Sequence, residues 1–193
     1  MIKFKKSQSG FSLVETLVAI TILLIVVVGP MAISTSTARS TSFSSEQVQA
    51  FFLAQEGVEI IHAYRDDFLL SGSGSLEQGW VDFRDAPNLT NCALPGNRCG
   101  VELVTNTTGD LVSPISCISG ACRLYYDDSA GSRARFTHTD TGVDTKFTRL
   151  IGIEEIGVNE VKVESTVTWR SGNLREEQSV SVETHLFNVY GNI

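Results

Sequence analysis

The fold class that the sequence predicts is α+β, a long N-terminal helix packed on an antiparallel β-sheet. Three observations predict it. An uninterrupted apolar run lies near the N-terminus, a second stretch beyond it repeats apolar residues at helical spacing, and the C-terminal part alternates apolar and polar residues around a turn. The 193 residues are 42% hydrophobic and 19% charged, with 16 Gly, 4 Pro and 4 Cys. That composition excludes disordered chains, collagen-like chains and disulfide-saturated miniproteins, and the length fits one domain plus an extra segment.

The extra segment comes first. Residues 11–33 contain one charge, Glu15, and no Lys or Arg. A helix of that length reaches about 34 Å, enough to cross a hydrocarbon core of about 30 Å. Lys3, Lys5 and Lys6 precede it in a stretch without acids, which places the N-terminus in the cytoplasm and the remainder across the membrane. The run is longer than the apolar core of a secretory signal, and the GPMAIS sequence at its end has no clean cleavage site of that kind. The formal charge of −7 argues against nucleic acid as a partner, because phosphate binding draws on Lys and Arg.

A plain anchor leaves Glu15 unexplained. An acid deep in the bilayer costs roughly 2.5–3.5 kcal/mol and calls for a partner, whereas one in the headgroup zone costs little. Its surroundings favour the first reading. The string KKSQSGFSLVE, Lys5 to Glu15, followed by TLVAITILLIVVVG, resembles the N-terminus of type IV prepilins and related pseudopilins. The resemblance implies a leader, residues 1–10, removed by a prepilin peptidase between Gly10 and Phe11, with Phe11 then N-methylated. It also implies that helix 11–33 is kept, first as a membrane span and later as filament core, with Glu15 as the acid at the fifth mature position. The spacing has a physical basis. The freed amine of Phe11 is mostly protonated near neutral pH, given an ordinary pKa of about 7.7–8. Opposite charges four residues apart then offset each other's desolvation. In the family the useful pairing is between subunits, Glu15 of one against the Phe11 amine of a neighbour, which fixes axial register.

Gly29 and Pro30 should loosen the helix, and the Ser/Thr-rich stretch from Ser34 to Ser42, a weak helix former, marks the passage from lipid to water as a bend or a short break. Residues 34–70 form the amphipathic continuation. Ala50, Phe51, Ala54, Gly57, Val58, Ile61, Tyr64 and Phe68 make its apolar stripe, with Gln49, Glu56, Glu59, Arg65 and Asp66 opposite. Phe52 falls toward the polar side, as a scattered surface aromatic or a subunit contact. The SGSGS run from Ser71 ends the helix. The segment from Ala50 to Asp67 is similar to the second half of the long helix in V-type minor pilins.

Residues 71–193 read as an antiparallel sheet domain. The expected strands are Trp80 to Phe83, Val101 to Asn106, Leu111 to Ile115 and Arg123 to Tyr126. The clearest element is a hairpin. Val161, Val163, Val167 and Trp169 alternate with polar residues, Ser171, Gly172 and Asn173 turn the chain, and Val180, Val182 and Leu186 alternate again. Its end also resembles the tail of minor pilins and pseudopilins.

Cys92, Cys99, Cys117 and Cys122 lie outside the membrane on this topology and read as disulfides in Cys-containing loops. Of three connectivities, two stand out: local pairs, Cys92 with Cys99 and Cys117 with Cys122, or a nested set joining Cys99 to Cys117. Their spacings do not suit zinc, and no metal or cofactor is expected. Asp127, Asp128 and Asp140 are the nearest approach to a calcium set, and the pairs Asp66-Asp67 and Glu154-Glu155 read as solvated turns. His62, His138 and His185 are scattered, and no catalytic motif is readable. Asn88 and Asn106 head glycosylation sequons.

These readings converge on a nonenzymatic subunit, a minor pilin of a type IV pilus. Its partners would be other pilin subunits, the prepilin peptidase and inner-membrane assembly machinery. It would sit in the inner membrane as a single-pass protein before assembly and at the cell surface afterwards. The alternatives are a type II secretion pseudopilin and a pilus-tip adhesin; a membrane-anchored hydrolase has no motif in its favour.

Overall fold

The computed structural model describes residues 10, 12–71, 74–86, 89, 92–93, 96–103, 112–116, 122–128, 134–172 and 176–190. The chain divides into two units, Met1–Ser45 and Glu46–Ile193; the second is called the head below. Helix α1, Leu13–Ser71, contributes to both.

In the first unit, the described residues from Leu13 to Ile33 are exposed throughout, with apolar side chains such as Leu13, Ile25 and Ile33 open to the surroundings. A helix apolar on every side needs lipid or another helix around it. The expected loosening does not break the helix: α1 continues through Pro30 and through the Ser/Thr stretch. Pro removes one backbone donor, and Thr35 donates its hydroxyl to Ala32 O at 2.9 Å within that stretch.

In the head, α1 buries Ala50, Leu53, Ala54, Gly57, Val58, Ile60, Ile61 and Tyr64. The stripe is rotated slightly from the expected one. Leu53 and Ile60 lie inside, while Phe51 remains 46% exposed. Helix α2, Leu76–Arg84, replaces the strand expected at Trp80 to Phe83. Its local chemistry is helical: Ser75 caps it by accepting from Gln78 N, Glu77 occupies the first turn and Arg84 the last. Leu76, Trp80 and Phe83 recur at helical spacing, and Trp80 and Phe83 enter the core.

Among the described residues seven strands follow: β1 Cys99–Leu103, β2 Val112–Ser116, β3 Arg123–Asp127, β4 Arg135–Thr137, β5 Val143–Gly157, β6 Glu160–Trp169 and β7 Gln178–Phe187. All the pairings between strands are antiparallel. β5, β6 and β7 form a meander, and the other edge of β5 is shared, with β3 along Val143–Thr148 and β1 at Ile151. β2 lies beyond β1, and β4 beyond β3. The expected β6–β7 hairpin is present in the anticipated phase, with Val161, Val163, Val167, Trp169 and Leu186 buried. Gly172 takes φ 53° in the intervening turn, a conformation that favours glycine. Strand β5 was not expected at all, yet it is the centre of the sheet.

Two apolar clusters join α1 to this sheet. One gathers Ile60, Ile61 and Tyr64 with α2, β1, β5 and β6; the other packs Ala50, Leu53 and Ala54 on Leu124, Phe147, Val167 and Trp169.

Candidate functional site

The predicted site residues fall in two places. Gly10 is exposed just before α1, and Glu15 lies in the first helical turn, also exposed, where a carboxylate interacts favourably with the helix dipole. By length and composition, α1 is long and apolar enough to cross a membrane. Phe11, Lys3, Lys5 and Lys6 lie outside the described residues. In the head, Cys92 and Cys99 form a disulfide with Cα atoms 5.0 Å apart. That bond excludes the nested connectivity. Cys122 is also disulfide-bonded, while Cys117 lies outside the described residues, as do Asn88 and Asn106. The Cys92–Cys99 link closes a loop onto the edge of β5, where Ile153 N donates to Cys92 O at 2.9 Å.

Sequence reasoning missed the polar groups that hold α1 to the sheet. Arg149, on β5, is completely buried. Its Nη1 donates to Leu53 O at 3.2 Å and to Glu56 Oε2 at 2.9 Å, and its Nη2 donates to Val101 O at 2.8 Å. Burial pushes its pKa down, opposed by the nearby Glu56 carboxylate. Where α1 enters the head, Lys146 Nζ donates to Glu46 Oε1 at 2.5 Å. Burial works against the Glu46 charge, but the bonded Lys146 ammonium, helped by the polar side chains of Ser171 and Trp169 nearby, outweighs it and keeps its pKa low.

A cleft of about 310 Å³ opens between α1 and the β4 end of the sheet, lined by Glu56, Glu102, Arg135 and Thr137 among others. Both carboxylates are engaged internally. Glu56 holds Arg149, and Glu102 accepts from Thr137 Oγ1 at 2.6 Å and His138 N at 2.9 Å. For Glu102, burial is again outweighed by those bonds, so its pKa is lowered. His138 donates from Nδ1 to Arg123 O at 3.1 Å. Burial, reinforced by the positive Arg149, pushes its pKa down to about 4. Among the described residues, this arrangement holds the Glu56 and Glu102 carboxylates in place. Next to it, a groove of about 660 Å³ is lined by Phe52, Leu53, Tyr126, Phe136 and Phe147, so Phe52 is not an isolated surface aromatic. Among the described residues, no group of three or more His, Cys, Asp and Glu could hold a metal ion.

The buried neutral His138 makes head stability pH-dependent. In the unfolded chain its imidazole takes a proton near pH 6.5, while the folded one resists until about pH 4. The unfolded state therefore binds more protons between these values, and stability falls as pH falls through that window. The loss is expected to total about 3 kcal/mol, at about 1.4 kcal/mol per pH unit. Urea titrations at pH 7 and pH 4.5 check it: His138→Gln should flatten the slope, and an unchanged slope would refute the assignment.

Residues 5–29 match the model of the prokaryotic N-terminal methylation motif. The match supports a type IV pilin-like prepilin or pseudopilin-type protein, and proteins of that kind are structural. It implies assembly with pilin subunits and membrane machinery in general, and together with the apolar α1 segment it supports membrane anchoring. No curated protein and no solved structure matches the chain. The matched span joins the basic stretch, the Gly10-Phe11 junction, Glu15 and the apolar run, which are the features that carry the resemblance.

Proposed function

We propose that the protein is a minor pilin of a type IV pilus. The supporting observation is the combination, on one continuous helix, of exposed apolar residues 13–29 from the methylation-motif match and a second half that packs one face on an α+β head. The first half is stored in the inner membrane with the N-terminus in the cytoplasm. A prepilin peptidase removes residues 1–10 after Gly10, and Phe11 is methylated. Assembly machinery then moves the helix into a bundle of like helices at the cell surface. Exchange of lipid for protein around α1 changes apolar burial little, so packing and polar contacts set register. Glu15, facing the Phe11 amine of a neighbouring subunit, supplies that polar contact.

Intact-mass and N-terminal analysis of the protein from its host membrane tests this reading. The expected mature start is methylated Phe11; retention of Met1 would return α1 to the role of a plain anchor. Glu15→Val provides the second test. It should leave membrane insertion intact, because it removes a charge from an apolar span, and should reduce recovery in sheared filaments at least tenfold. Wild-type recovery of Glu15→Val would exclude the register role.

A further inference from the structure

β7 is the outer strand of the meander. It pairs with β6 over ten consecutive positions without a shift in register, and among the described residues no strand lies along its other side. Natural proteins blunt such edges with Lys, Pro, bulges or short strands, because the open row of backbone N–H and C=O groups is a template for another chain. β7 has few such devices: QSVSVETHLF holds no Lys, Arg or Pro, its register has no bulge, and Glu183 is its one carboxylate. On its inner face, Val180 and Val182 are only partly buried against the core.

On the outer face, Glu183 stands directly opposite Glu164 of β6. Like charges in that position repel. Glu164 is compensated, because Arg98 Nη2 donates to its Oε2 at 3.1 Å and Thr166 donates to its Oε1 at 3.1 Å. Lys162, on the same face, is bonded to Glu154 at 3.0 Å. Glu183 is exposed at the margin of the sheet, where it feels Lys162 only through space and, among the described residues, has no bonded cation of its own.

We infer that the free edge of β7 is a docking site for an extended segment of a partner chain, which adds to the sheet as a further strand. Main-chain hydrogen bonds hold it, and alternate side chains select it. The segment carries a Lys or Arg opposite Glu183, between apolar residues that lie beside Val182 and Thr184 and extend the inner face. A second copy of β7 fits less well, because each copy brings an exposed Glu183 to the pairing edge and β7 holds no Lys or Arg to set against it. The inference does not depend on the filament reading.

The test uses the full chain in detergent and a capped nine-residue peptide that alternates threonine and valine around a central lysine. Binding should saturate and slow amide exchange within residues 178–187. Glu183→Lys should weaken the lysine peptide at least tenfold and favour a peptide with central glutamate. Glu183→Gln, a milder change at this exposed site, should abolish the preference between the two peptides. Absence of binding, protection elsewhere, or a preference untouched by both variants would overturn the proposal. So would self-association through residues 178–187 without peptide, which would make the occupant a second copy.

Discussion

Arg149→Ala is expected to lower the unfolding free energy of the head by about 3–5 kcal/mol, the range for truncating a large buried side chain whose hydrogen-bond acceptors are then left unsatisfied. One guanidinium ties three elements together, bonding the Leu53 carbonyl and Glu56 of α1 and the Val101 carbonyl of β1 from its place on β5. Truncation leaves a cavity and a Val101 carbonyl without this donor. Arg149→Lys should not restore stability, because an ammonium lacks the planar fork that reaches both elements. Arg149→Met should be milder than alanine, since it fills the space and removes the desolvation cost of the charge. Glu56→Gln should cost less again, because Glu56 is 39% exposed and solvent screens the pair. Urea denaturation monitored at Trp80 and Trp169 measures each variant. Arg149→Ala unfolding at the wild-type midpoint would refute the clamp. Removing the positive charge should also raise the pKa of His138, which Arg149 helps to depress.

Gly57→Val is expected to destabilise the head by about 3 kcal/mol, the upper part of the range for overpacking a core. A Cβ at Gly57 would lie 2.5 Å from Ser165 Oγ, 2.9 Å from Ile151 Cδ1 and 3.1 Å from Arg149 Cδ. α1 therefore approaches β5 and β6 too closely for a side chain. Gly57→Ala separates two effects. Helix propensity alone predicts a gain of about 1 kcal/mol, whereas the contacts predict a net loss of about 1 kcal/mol, moderated because Ser165 and Ile151 can rotate. Thermal melts of the two variants decide between them; a more stable Gly57→Ala would show that the close approach relaxes without cost.

The elements legible in the sequence were those whose burial follows a local period. Val161, Val163, Val167 and Trp169 repeat every second residue on a strand with one buried face, so β6 and its partner β7 could be read directly. The apolar run of α1 needed no tertiary information either. β5 escaped because Arg149 occupies an inward position between Phe147 and Ile151, where a charged residue reads as solvent-facing. The α2 segment reads as a strand because Trp80, Val81 and Phe83 are too few to separate the two periods; the Ser75 cap is the signal that distinguishes them. The disulfide partners could not be deduced from spacing alone, because separate connectivities close loops of acceptable size.

By itself, the sequence determined that this protein has a membrane-length apolar helix, a basic stretch before it, an acid at a fixed offset from Gly10, and a sheet-containing head. Those properties are local, set by the order of charges and the period of apolar residues. Only the tertiary structure decided that β5 is the shared centre of the sheet, that Arg149 and Gly57 set the seat of α1, and that β7 is the outermost of the described strands beside β6. Each depends on which distant segments become neighbours, and the energy of a buried cation, a missing Cβ or an unpaired strand edge is defined only once those neighbours are in place.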